Sequence, residues 1–325
     1  MITLTLPDLP PTADSPAHKL RRLAAAVRVH FTWWGTHKTL TAQQKEEVGL
    51  ASDTDTRFLT AGKRLIDVRH DAYRKLTSLR SQIVSYWRGL TLPYVEPGMR
   101  LIRQSSVESF VQTMERFRAD LIQAERELNA VYDTIRADAR RRLGRLYCAE
   151  DYPAEVRGLF QLEWEFPSVE PPAYLLRLHP EIYQQEQERV SRRFEEAVQL
   201  AEQAFVSEFA RLVSHLAERL DSGSDGTKKV FRDTAVSNLM EFFGRFRQLN
   251  VGSNQELEEL VAEAQRLVQN VTPQQLRDQS NLRQHLGTAM ARMQQNLDGM
   301  LVDRPRRQLL RPHVVPNGDH HVAHH

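Results

Sequence analysis

Residues 107–135 read VESFVQTMERFRADLIQAERELNAVYDTI, and their apolar members fall on one helical row. Val107, Phe110, Met114, Phe117, Leu121, Ala124, Leu128, Val131 and Ile135 alternate three- and four-residue steps, which is a heptad pattern. After Ile135 the spacing becomes Ala139, Leu143, Leu146. The extra four-residue step relaxes a left-handed supercoil. At about 1.5 Å per residue, an unbroken helix over residues 103–147 is about 65 Å long.

A second long row follows with another period. Val190, Ala201 and Leu212 lie eleven residues apart, as do Phe194, Phe205 and Leu216, and Val198, Phe209 and Leu220. Eleven residues in three turns make a nearly straight or weakly right-handed helix. The two rows predict a mainly α protein built on a long antiparallel helical hairpin over residues 103–221. Their periods differ, which argues against a simple two-stranded coiled coil. Three rows on the second helix are wide enough for more than one neighbour.

Between the rows lies an aromatic, proline-rich joint. Leu162, Trp164 and Phe166 alternate with Glu163 and Glu165, and Val27, Val29, Phe31 and Trp33 alternate with Arg28, His30 and Thr32. A period of two marks strands. The reading places a small β element at 27–34 and 160–166 and pairs its two halves. The first sixteen residues alternate Ile2, Leu4 and Leu6 before four prolines, as an edge strand or an extended arm. A helix starts at Ser15-Pro16, a cap followed by a first-turn proline, and another at Thr41. Tyr73, Leu76, Leu79, Ile83, Val84 and Trp87 predict a helix over about 68–88, followed by an extended crossing at 90–97.

Residues 221–227, DSGSDGT, are the best domain boundary in the chain. The expected division is a hairpin domain at 1–221, a C-terminal helical module at 222–302 and a tail at 303–325. The module reads as helices near 228–249, 254–270, 273–279 and 281–302, with Asn254 and Thr272-Pro273 as caps.

Composition narrows the class. A net charge of +2 is not that of a polycation, and one cysteine, Cys148, excludes an internal disulfide or a multi-cysteine zinc site. No apolar run approaches the roughly 20 residues of a membrane span, and the start lacks a signal-peptide pattern, so a cytoplasmic protein is expected. GxxxxGK[ST], GxGxxG after a strand, HExxH, GxSxG and an EF-hand loop are absent. No catalytic residue, cofactor or metal is assigned.

Several side chains invite a functional reading. His313, His320, His321, His324 and His325 have the right chemistry for metals, yet a tail lacks a held geometry. Cys148 has no histidine near it in sequence to activate a thiolate. Trp33, Trp34, Trp87, Trp164, Tyr94 and Phe166 are rings for base stacking or, more simply, for a core. Arg136, Arg140, Arg141, Arg142 and Arg145 form a compact basic patch on one helix, and Arg304, Arg306, Arg307 and Arg311 follow the last helix. These nine arginines are the candidate contacts to nucleic acid or an acidic partner. Pairing of the first group with Asp133 and Asp138 on a solvated face is the simpler alternative.

Trp34-Gly35 with Leu40, Lys63-Arg-Leu-Ile-Asp67, Tyr94-Val95 and Trp164-Glu-Phe-Pro-Ser-Val-Glu-Pro171 occur in that order. Over about residues 27–220 the pattern resembles a family of uncharacterised bacterial, plasmid and phage proteins, a domain of unknown function. Its members are often encoded beside a MoxR- or cobaltochelatase-like AAA+ ATPase and a von Willebrand factor A protein. The resemblance carries no catalytic residues. It implies a non-enzymatic scaffold or adaptor in a multiprotein assembly with such an ATPase. The alternatives are a nucleic-acid-binding accessory factor of phage, plasmid or defence origin, and a structural oligomer of a phage particle.

Overall fold

The computed structural model describes residues 15–220, 234–269 and 271–302. The N-terminal alternation, the polar break at 221–227, the tail with its histidines, and Arg304, Arg306, Arg307 and Arg311 lie outside the described residues.

In chain order the elements are α1 (Pro16–Leu23), β1 (Ala24–Trp33), β2 (His37–Thr39), α2 (Ala42–Ala51), β3 (Gly62–Arg64), α3 (Asp71–Leu90), β4 (Thr91–Pro93) and β5 (Met99–Arg103). Then come α4 (Val107–Leu143), β6 (Phe160–Glu165), α5 (Tyr174–Leu178), α6 (Pro180–Leu220), α7 (Thr234–Leu249), α8 (Gln255–Val268), α9 (Pro273–Asp278) and α10 (Ser280–Val302). The chain is mainly α, as expected. No helix among the described residues is long and apolar enough to cross a membrane.

The expected caps form. Ser15 Oγ accepts from the His18 N–H, and Thr41 and Thr272 each close a capping box with a glutamine three residues on. Asn254 Oδ1 accepts from the Leu257 N–H at the start of α8. Each side-chain acceptor satisfies a donor that the first helical turn leaves open.

The elements divide into two compact units: residues 1–205 with 240–261, and residues 206–239 with 262–325. The first is built on an antiparallel sheet ordered β4-β5-β1-β6, with a separate β2-β3 pair. The expected pairing of the β element is present, with Val29 opposite Trp164 and Phe31 opposite Leu162. The residues read as an extended crossing instead turn back at Gly98, whose φ of 78° favours glycine, and β4 and β5 pair there.

Alternation gives the sheet two faces. Val27, Ile102, Phe160 and Leu162 share a core with Tyr73, Leu76 and Ile83 of α3 and with Phe110, Met114, Leu121, Leu128 and Ile135 of α4. The heptad row of α4 is therefore buried against α3 and the sheet. On the other side Ala26, Leu92 and Leu101 are buried, and Leu20, Leu249 and Val251 lie beside Leu92 and Leu101. Tyr94, next along that side after Leu92, meets Phe194 of α6 at 5.8 Å between ring centroids. Arg193 pairs with Glu96 at 2.7 Å, and Arg21 of α1 pairs with Glu170 and donates to Gln187. Phe205 packs edge-on against Phe242 and Phe246 of α7.

The antiparallel hairpin expected between the two long helices is thus not what buries them. The row of α4 turns to one face of the sheet, and the first half of α6 joins the residues of the other. The sheet supplies the apolar surface that the sequence reading assigned to a second helix.

Every described element of the second unit is a helix. Phe209, Leu212, Leu216 and Leu220 of α6 are buried, as are Leu239 of α7, Ala264 and Val268 of α8, and Leu276 of α9. Leu286, Met290, Met293 and Leu297 form the buried row of α10 at three- and four-residue steps. A Cβ on Gly287 stands 3.6 Å from the Cβ of Leu220, so α10 runs close to the end of α6.

Candidate functional site

Four arginines of the predicted basic patch, Arg136, Arg140, Arg141 and Arg142, occupy the last two turns of α4. Arg145 lies beyond the helix end in a short 3-10 turn, so the patch is not on one helix as expected. Lys63-Arg-Leu-Ile-Asp67 runs beside it. Leu65 and Ile66 are core residues. Lys63 is buried with a side-chain exposure of 3%; it pairs with Asp151 at 2.7 Å and donates to the Leu146 carbonyl at 2.6 Å. Lys38 reaches the same carboxylate at 2.5 Å. Burial pushes the Asp151 carboxyl up, but hydrogen bonds from Lys38 and Lys63 outweigh it and hold the group below its ordinary value. Tyr152 donates to the Leu65 carbonyl at 2.7 Å and Tyr132 to the Pro153 carbonyl at 3.1 Å. Burial raises both phenols to about 12. The segment after α4 is thereby pinned onto β3 and α4.

The five arginines divide by their contacts. Arg136 pairs with Asp133 at 2.9 Å, and Arg141 with Asp138 at 2.8 Å. Arg142 crosses to Asp67 at 2.8 Å, and its hydrogen bond holds the Asp67 carboxyl at about 2. Arg140 lies over the Tyr147 ring at 6.0 Å. Arg140, Arg141, Arg142 and Arg145 are all exposed. A cleft of about 320 Å³ opens here, lined by Arg64, Asp67, Arg69, His70, Asp138 and Arg142 over Leu65 and Ala139. Three arginines face two carboxylates. The α4 C-terminus also directs the negative end of its dipole here, which lowers the pull on an anion.

Of the remaining candidates, Cys148 is held as a thiol and the rings serve packing. Cys148 donates its thiol proton to Glu150 Oε2 at 2.5 Å. That hydrogen bond and burial raise the thiol, so the thiolate a nucleophile needs is disfavoured. Trp33 meets Phe160 edge-on at 4.9 Å, Trp34 meets Tyr132 at 6.0 Å, and all four tryptophans pack against the core. Among the described residues no three His, Cys, Asp or Glu side chains group as metal ligands.

Two features escaped the sequence reading. Arg100 is largely buried, donates to Thr91 Oγ1 at 2.6 Å and lies over Trp87 at 5.9 Å; burial lowers its guanidinium to about 10, leaving it cationic at neutral pH. The second is an apolar run left in solvent. Tyr174, Leu176, Leu178 and Ile182 are 56%, 44%, 66% and 45% exposed. Tyr174, Leu176 and Leu178 lie two apart, but Leu175 between them is apolar too and Pro180 precedes Ile182, so no clean alternation or helical stripe sets the group off.

Comparison with protein-family models, with curated proteins and with solved structures finds no match for the chain.

Proposed function

We propose that the chain is a non-enzymatic scaffold that joins a multiprotein assembly through residues 174–182. The observation that carries this reading is the exposure of Tyr174, Leu176, Leu178 and Ile182 within nine residues. Single exposed apolar side chains are ordinary, whereas four gathered in one short segment mark an interaction surface. A tyrosine among aliphatic side chains also suits the centre of a protein interface. The buried pair of Lys63 and Asp151 supports the same reading, because it commits these two groups to holding the fold. The resemblance noted above supplies the partner class, an AAA+ ATPase acting with a von Willebrand factor A protein.

The test is tagged purification from the native host at physiological salt, beside a variant with Tyr174, Leu176 and Leu178 changed to Ser. The expected result is an ATPase in stoichiometric amount with the parent chain and its loss with the variant. The same ATPase bound equally by both, or no partner with either, overturns the reading.

A second reading rests on the four exposed arginines at and just after the end of α4: they contact phosphates of nucleic acid. It predicts binding that weakens steeply with salt, with a shallower dependence after Arg140, Arg141 and Arg142 are changed to Gln. Equal affinity and slope in the triple variant would reject it.

A further inference from the structure

The cleft between residues 64–70 and the end of α4 carries a charge that its own side chains do not balance. Asp138 is held by Arg141, which does not line the cleft. The Asp67 carboxyl, kept at about 2 by its hydrogen bond from Arg142, is ionised at neutral pH. It serves two arginines, Arg142 at 2.8 Å and Arg69 at 3.5 Å. The Arg69 side chain is 87% exposed, so this second pair is loose and worth little. Arg64 lines the cleft and has no acidic partner among the described residues. Three guanidiniums thus face two carboxylates, an excess of one charge that a monoanion balances.

The helix ends do not cancel this excess. α3 opens on the same cleft through its N-cap, His70, whose Nδ1 accepts from the Ala72 N–H at 3.3 Å. Its positive end offsets the negative end of α4, and both fields fade within a turn. With Nδ1 accepting, the proton of the neutral imidazole sits on Nε2, a further donor at the rim.

Below the rim the lining is apolar. Leu65, Ile66, Ile135 and Ala139 close the floor and are themselves buried. Val68 and Leu143 are half-buried and present the apolar surface that an entrant meets. The volume of about 320 Å³ lies at the small end of ligand pockets, which run from roughly 300 to 1,000 Å³.

We propose that this cleft binds a small organic carboxylate, with its anionic group on Arg64 and Arg69 and its apolar part against Val68 and Leu143. A guanidinium suits a carboxylate because two parallel N–H groups match its two oxygens. A bare ion leaves the apolar walls wet, a hydrocarbon leaves Arg64 unmatched, and an ammonium meets three guanidiniums. Asp67 holds Arg142 and is a positioning residue. The site uses none of residues 174–182, so replacing Tyr174, Leu176 and Leu178 leaves it intact.

The probe is sodium hexanoate, titrated into the full chain and followed by NMR, with acetate and hexylammonium as controls. Saturable shifts centred on the amides of residues 64–70 and 138–143 are expected, with each control weaker by about fivefold or more. The exposed change Arg64→Gln is expected to weaken hexanoate by about fivefold or more, and Arg64→Glu to turn the preference toward hexylammonium. Arg145→Gln removes the same charge from the neighbouring surface and is expected to leave hexanoate binding within about twofold. Equal binding of acetate or hexylammonium, an unaltered affinity in Arg64→Gln, an equal loss in Arg145→Gln, or absence of saturation overturns the proposal. So does a single-stranded oligonucleotide that shifts the same amides and displaces hexanoate, which assigns the cleft to nucleic acid.

Discussion

Lys63 and Asp151 show how one buried contact can shape a local site. Their 2.7 Å pair lies out of solvent and holds the segment after α4 to β3. Removing one member leaves the other charged and buried, so Asp151→Asn is expected to cost about 3 to 5 kcal/mol in denaturant unfolding. The pH dependence has a definite sign. The folded carboxyl titrates below its unfolded value of about 3.9. Its contribution is complete above that value and is lost as pH falls through the folded one, a dependence missing from the Asn variant. Cys148 titrates in the opposite sense, because its hydrogen bond to Glu150 favours the thiol. Alkylation by iodoacetamide is expected to be slow near pH 8 and severalfold faster in Glu150→Gln. An unchanged rate would remove the assigned role of Glu150. None of this was legible in sequence: Lys63 and Asp151 lie 88 positions apart, and neither carries a periodic signal.

At the scale of elements, the α4 row was readable because period and burial coincide. Phe110, Met114, Leu121, Ala124, Leu128 and Ile135 are buried, whereas Val107, Phe117 and Val131 at the margin are half-buried. Phe110 stacks on Tyr86 at 6.0 Å and is fully buried, so Phe110→Ala is expected to lose about 3 to 5 kcal/mol. Val107→Ala is expected to lose less than half as much, and equal losses would mean that the row is not the buried stripe. All nine residues of the eleven-residue rows in α6 are also buried. What covers each row was not readable, since a stripe states that a face is buried and not by what. Leu101 and Ile102 escaped as a strand because β5 is apolar toward both sides of the sheet and loses its period of two. Glu125 escaped because a carboxylate at a buried helix position carries no apolar signal. Its Oε1 accepts from the Leu159 and Phe160 N–H groups at 3.1 Å each.

At the scale of the molecule, the first unit is assembled from two separated stretches, residues 1–205 and 240–261. Phe242 and Phe246 cover Phe205, Gln248 donates to Ser106, and Arg103 donates to the Asn250 carbonyl. The polar run 221–227 looks like a natural place to divide the chain, yet a fragment ending there lacks these covers. Residues 1–221 alone are expected to bind a hydrophobic dye and to unfold several degrees below the full chain. Adding residues 234–302 in trans is expected to restore both properties. A fragment with the full chain's melting temperature would show that the second stretch is dispensable. The same feature sets a sequence of events during synthesis. The side of the sheet bearing Leu20 and Leu101 is made early, while Leu249 and Val251 beside it come at least 44 residues after Phe205. At about 5 to 20 residues per second, that surface stays open to chaperones or wrong partners for roughly 2 to 9 s on each ribosome.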